Sequence, residues 1–354
     1  METQLLLLLL LSALALIIYA FKSSKTNLPP GSFGWPIIGE TIAFMKEQQQ
    51  HFVGERMKKH STKLFKTSIF GERMVVLCGT AGHKFIATNE EKLFLAWRPL
   101  SMQKLFRSSY LKAAATAIVP QADVIQIYRA PGFLKPEALV KYIETMDSLV
   151  QEHLKLHWEG KTTVEVYKLA QLLVTRVCPL ASSLDCMTMS ARKKSGCCQW
   201  SPNAHDILSF MLFNPDPTGR FSSENEVADK FMGSMVAAFH SPSMVTGFLF
   251  KYLGERPEIC DKVRTEQLEI ASSKKSGEAL IWEDIHKMKY SWGVALEVMR
   301  LVPPLQGTFR EVATEFTYEG YTIPKGWKVF WSASSTNKIP EYFPDPEEFD
   351  PTRF

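Results

Sequence analysis

The sequence predicts a mainly α fold with small β-sheets, an α+β architecture, carried behind an N-terminal transmembrane helix. Three observations predict it. Residues 5–21 form a run of 17 positions without a charge. Leu139, Ile143, Met146, Val150 and Leu154 recur at spacings of four, three, four and four, the mark of one helix face. Short β-rich runs stand near residues 64–78 and 316–331. With 354 residues, 45% hydrophobic and 22% charged, the chain can bury a large core and is neither disordered nor fibrous.

As a helix, residues 5–21 cover about 26 Å, just enough to span a hydrocarbon core of roughly 30 Å. A cleaved signal peptide needs a basic start, and the only charge before the run is Glu2. Lys22 and Lys25 follow it, which keeps the rest of the chain cytosolic, with the endoplasmic reticulum as the expected membrane. Residues 1–21 are therefore the expected anchor. Pro29, Pro30 and Pro36 fix φ and forbid helix, so residues 22–36 read as a stiff extended hinge. The globular domain is expected over 37–354.

Within it, residues 64–70 and 73–78 predict a hairpin turning at Gly71 and Glu72. A helix follows from Pro136 with the five-residue apolar face given above. A long helical stretch runs from about Glu224 to Ile270, interrupted near Pro242. A further helix runs from about Trp282 to Leu301 into Pro303 and Pro304, then short strands around 316–318, 321–323 and 329–331. Residues 112–132 and 180–203 lack a clean period and read as irregular.

A net charge of +4, from 41 basic against 37 acidic side chains, gives no nucleic-acid partner and only a mild preference for an anionic membrane lipid surface or an acidic partner. The six cysteines at 78, 178, 186, 197, 198 and 260 show neither a disulfide rhythm nor a zinc-binding pair, so no metal site is assigned to them. The vicinal Cys197 and Cys198 have no further ligand at metal spacing.

The chemistry lies in the last third. Glu297 and Arg300 stand three apart on one helix face, and that helix ends at once in Val302-Pro303-Pro304. Thr308-Phe309-Arg310 follows, then the run from Tyr318 to Gly326, then Phe343-Pro344-Asp345-Pro346 and Asp350-Pro351-Thr352-Arg353-Phe354. This ordered set resembles the cytochrome P-450 family of haem-thiolate monooxygenases. The resemblance implies a structural triad of Glu297, Arg300 and Arg353 buried beneath the haem, and gives Arg310 a haem propionate as partner. Arg129 is a weaker haem-contacting candidate. Phe133-Leu134-Lys135-Pro136-Glu137-Ala138-Leu139, Lys251-Tyr252-Leu253 and Pro304-Leu305-Gln306-Gly307 resemble the plant branch that oxidises triterpenoids and taxane-type diterpenoids. A lipophilic small-molecule substrate and an NADPH-dependent flavin reductase are the implied partners.

Three departures bear on activity. The family's cysteine loop follows the Pro-x-Arg-Phe segment, and the sequence stops at Phe354, so the chain reads as truncated before the thiolate that ligates the iron. Where the family has an acid and a threonine relaying protons, Ser241 and Pro242 stand here, with Ser243 one residue late as the other relay candidate. His240 reads as a polar residue held in the helix groove. Between Val177 and His205 there is room for little more than a loop where the family roofs its pocket. Two functions stay open: C–H hydroxylation by a membrane-bound haem monooxygenase, impaired as written, or a non-enzymatic remnant that at most binds a lipophile.

Overall fold

The computed structural model describes residues 27–47, 49–90, 92–99, 140–182, 215, 221 and 223–354. The expected anchor, Arg129, Cys197, Cys198, the irregular stretch 112–132 and all of the stretch 180–203 beyond residue 182 lie outside the described residues; residues 180–182, expected to be irregular, end a helix. Among the described residues no helix is long and apolar enough to cross a membrane.

The N-terminal part builds a mixed sheet flanked by short helices. Helices α1 (Thr41–Lys46) and α2 (Gln49–Lys59) precede strands β1 (Leu64–Ile69) and β2 (Glu72–Leu77). The hairpin is present, turning at Phe70 and Gly71, with Ile69 paired to Glu72; φ is 57° at Phe70 and 77° at Gly71. Two consecutive positive φ values match the right-handed strand twist, which is why the turn sits one residue earlier than expected. Helix α3 (Gly79–Thr88) and strand β3 (Phe94–Ala96) follow.

The last third returns to this sheet. Strands β4 (Gly307–Val312) and β7 (Lys328–Ser332) complete the order β1-β2-β7-β4-β3, with β2 and β7 parallel and the other pairs antiparallel. Strands β5 (Phe316–Tyr318) and β6 (Tyr321–Ile323) form a separate hairpin. Side chains alternate across the sheet as the period of two demands. Leu64, Val75, Leu77 and Val329 enter one apolar cluster, while Phe65, Met74, Val76 and Phe330 enter the cluster on the opposite face.

The hinge is not a free spacer. The Lys66 N–H donates to the Pro30 carbonyl, Gly31 bridges Lys66, the Thr322 N–H donates to the Asn27 carbonyl, and Phe33 meets Trp327 edge-on at 5.6 Å. The proline run is extended as expected, but from Asn27 onward it lies on the sheet, because the Pro30 carbonyl satisfies an otherwise unpaired strand donor. The folded body therefore starts before residue 37.

The helical layer holds α4 (Ile143–His157), α5 (Val166–Ser182), α6 (Glu224–Gly254), α7 (Pro257–Ser272), α8 (Trp282–Lys287) and α9 (Lys289–Leu301). Three sequence expectations are corrected here. Leu154 is exposed and His153 is the buried residue of α4, so the apolar stripe is only half covered. Helix α6 runs unbroken through Pro242, and the break falls at Glu255 and Arg256 before Pro257, which suits the first helical turn. The helix expected over 282–301 is two, parted at Met288, whose ψ of 54° leaves the helical region.

A third apolar cluster joins the helices to the end of the chain. Ile259, Val294, Val298, Leu301 and Phe349 are buried together, with Tyr252 stacked on Phe349 at 4.7 Å. The closing segment, ending in a 3-10 turn at Pro351–Arg353, is thus held against both α6 and α9.

Candidate functional site

Helix α9 presents Val294, Glu297, Val298, Arg300 and Leu301 inward, so an ionic pair shares a buried stripe with aliphatic residues. The Glu297 side chain is 0% exposed and that of Arg300 2%, a placement that demands full pairing. Arg300 Nε and Nη2 donate to the two carboxylate oxygens of Glu297, each at 2.7 Å. The other guanidinium hydrogens reach main-chain carbonyls: Nη1 donates to Asn337 and Pro346, and Nη2 to Glu348. All five donors of the fork are used, a geometry that a lysine cannot reproduce.

Glu297 is matched as fully. Its Oε1 also accepts the Asp350 N–H at 2.9 Å. Arg353 is the looser member of the expected triad. Its Nε lies 3.5 Å from Glu297 Oε1 without hydrogen-bond geometry, while its Nη2 donates to the Asp345 carbonyl at 3.1 Å. The structure brings the three residues together, but the tight node is Glu297 with Arg300.

Two positions that the sequence reading passed over make this possible. A Cβ on Gly293 would meet the Pro351 carbonyl oxygen at 2.5 Å, so only glycine lets the closing segment lie this close to α9. A glycine in a helix interior costs about 1 kcal/mol against alanine, and that cost was the signal available in the sequence. Asn337 Nδ2 donates to the Arg300 carbonyl at 3.1 Å and so caps the end of α9. Nothing periodic marks Asn337 in the chain.

Arg310 sits on β4, where its Nε donates to Glu90 Oε1 at 2.7 Å and its Nη1 to the Phe309 carbonyl and Thr308 Oγ1. Both side chains of the pair are part-buried, at 16% and 24% exposure, so Arg310 is no ordinary surface arginine. Glu90 was missed because it lies in the turn after α3, outside any pattern.

The proton-relay candidates are placed less favourably. Pro242 has no N–H, and the Ser243 hydroxyl, fully buried, donates back to the Phe239 carbonyl at 2.7 Å within its own helix. Ser241 is partly exposed and His240 exposed, so His240 is not held in the groove as expected. No described carboxylate bonds to either serine.

The family model for Cytochrome P450 matches residues 187–354. A beta-amyrin 28-monooxygenase of Medicago truncatula is 40% identical over 387 aligned positions, covering 95% of this chain and 80% of that protein. The chain belongs to the cytochrome P450 family. A beta-amyrin 28-monooxygenase of Kalopanax septemlobus is likewise 40% identical, across 96% of the chain and 80% of its own length. Among solved structures, a retinoic acid bound cyanobacterial CYP120A1 superposes with a TM-score of 0.75 at 26% identity, covering 93% of this chain and 82% of that one. An alignment of 387 positions is longer than the 354-residue chain, so gaps open against this P450.

Haem is the cofactor of the P450 family, and the described residues fit it in part. Arg310 is a half-buried cation already geared to a carboxylate, which suits the propionate edge of a porphyrin. Neither Cys78 nor Cys260 is placed to supply an iron ligand. Cys78 is buried among Phe44, Phe65 and Phe330, and that burial pushes its thiol up to about 12; Cys260 is exposed on α7. No reaction step is therefore derived through the iron.

Proposed function

We propose that this P450 hydroxylates an unactivated C–H bond of a bulky, triterpenoid-like lipophile at a membrane surface. The observation that carries the reading is 40% identity to a beta-amyrin 28-monooxygenase across 95% of the chain. Haem, when bound, supplies the redox chemistry of oxygen insertion, with electrons from an NADPH-dependent flavin reductase. The chain's own part is to hold shape. Arg310 is the residue expected to orient the propionate edge, Glu297 and Arg300 fix the closing segment against α9, and Arg353 supports them. Ser241 and Ser243 are the side-chain hydroxyls nearest the helix position where the family relays protons.

The membrane reading rests on two features. One is the uncharged run over residues 5–21 with Lys22 and Lys25 behind it, which suits a single-pass anchor of the endoplasmic reticulum with the body in the cytosol. The other is the exposed apolar group near the folded N-terminus, Trp35, Ile37, Ile38, Ile42 and Met45, with Phe70 at the adjoining hairpin tip. Six large apolar side chains around one corner suit a bilayer surface better than water.

A second reading, a lipophile binder without turnover, is favoured by the burial of Cys78 in an apolar cluster and the exposure of Cys260 on α7. One experiment separates the two. The 354-residue polypeptide is expressed with a plant flavin reductase in microsomes and fed beta-amyrin, and its reduced carbon monoxide spectrum is recorded. Oxidised product with the red-shifted thiolate band supports the monooxygenase; bound but unaltered beta-amyrin with no such band supports the binder.

A further inference from the structure

Arg310, whose proposed partner is a porphyrin propionate, already meets a carboxylate from inside the protein. Glu90 Oε1 accepts the Arg310 Nε–H at 2.7 Å, and the contact links the turn behind α3 to the middle of β4. The link is built rather than incidental. Ala96 on β3 pairs in register with Arg310 on β4, Glu90 bridges Phe94, and Phe94 pairs with Val312, so the backbone around the two side chains is fixed from three directions. Arg310 also donates through Nη1 to the Phe309 carbonyl, which sets the plane of its guanidinium. Its Nη2 makes no hydrogen bond to a described residue, so one edge of the fork is open to a further acceptor.

We propose that Glu90 is a built-in competitor at Arg310: it holds the guanidinium through Nε and is exchanged for a porphyrin carboxylate when the macrocycle binds. The inference rests on the haem reading and adds to it a competitor encoded in the chain. A half-buried arginine without an anion would be costly, and Glu90 removes that cost in the porphyrin-free protein. The same pairing then opposes binding, because a propionate that takes both edges of the fork finds Nη2 open but must displace the charge-assisted Glu90 bond at Nε. No covalent bond changes; one carboxylate leaves a guanidinium and another takes its place.

The test uses the whole 354-residue chain with metal-free protoporphyrin IX and its dimethyl ester, followed by quenching of intrinsic tryptophan fluorescence. Neither probe needs an iron ligand, and only the diacid carries the charges that Arg310 would meet. The wild-type chain is expected to bind the diacid more tightly than the ester. Glu90→Gln and Glu90→Ala should each tighten diacid binding about tenfold, leave ester binding unchanged and lower the Tm of the porphyrin-free chain. Arg310→Ala should erase the difference between diacid and ester and make the Glu90 substitutions silent toward both. Diacid affinity that does not move in either Glu90 variant overturns the exchange and leaves Glu90 a structural partner alone. Equal binding of diacid and ester by the wild type also overturns it, while the haem reading stands. Absence of any saturable porphyrin binding sinks the haem reading and the exchange together.

Discussion

Arg300 grips Glu297 through two parallel hydrogen bonds of 2.7 Å, both side chains being shut away from water. Removing the guanidinium leaves an uncompensated buried carboxylate and strands the carbonyls of Asn337, Pro346 and Glu348. Arg300→Ala is therefore expected to destabilise the folded chain by about 3–5 kcal/mol, read as a shift in the urea midpoint. Arg300→Lys should recover only a small part of that loss, since an ammonium cannot serve five acceptors at these positions.

Arg353 offers a graded comparison. At 3.5 Å from Glu297 and 13% exposed, it adds attraction without closing the pair. Arg353→Ala should cost about 1 kcal/mol, well below Arg300→Ala. Equal losses in the two variants would contradict the geometry. The sequence pointed to a triad, and the structure ranks its two arginines.

Gly293 permits the approach on which that node depends. Gly293→Ala should destabilise by about 1–3 kcal/mol despite the better helix propensity of alanine, because the methyl meets the main chain of Pro351. Thermal unfolding of the variant checks this. A raised Tm would show that the segment gives way cheaply.

Acid should weaken the junction of α7 and α8. The Lys274 ammonium, 2.7 Å from Asp284, together with Lys287 and the Ile281 N–H, holds the Asp284 carboxyl down at about 2 against the opposing effect of burial. A depressed acid stabilises the fold above its ordinary value of 3.8 and loses that contribution as pH falls toward about 2. Unfolding curves at stepped pH should show a loss across that window in the wild type, and a smaller one in Asp284→Asn.

Thiol reactivity should divide Cys78 from Cys260. With its thiol raised to about 12, Cys78 should resist iodoacetamide in the native chain, while exposed Cys260 is modified. Peptide mass spectrometry before and after denaturation reads the difference. Native labelling of Cys78 at the rate of Cys260 would mean that the sheet core opens.

Legibility followed periodicity. The hairpin of β1 and β2 and the strands β5, β6 and β7 were readable because a period of two and their turn residues are local properties of the chain. The node was readable as Glu297, Arg300 and Arg353 because the motif is an ordered set of residue types. Helix α4 was placed correctly in part, yet its buried face was misjudged, since a stripe shows which side can be covered and not what arrives to cover it. Pro242 misled for a similar reason: the cost of a proline is a local quantity, while α6 is held by its packing against α5 and α9.

The amino-acid sequence by itself determined the element types, the family and the identity of the ionic node, because these depend on spacing and residue chemistry along the chain. Tertiary structure alone decided that Arg300 outranks Arg353, that Glu90 faces Arg310 across 220 residues, and that the proline run lies on the sheet. Those outcomes depend on distances between segments remote in sequence, and such distances are fixed only when the sheet and the helical layer pack together.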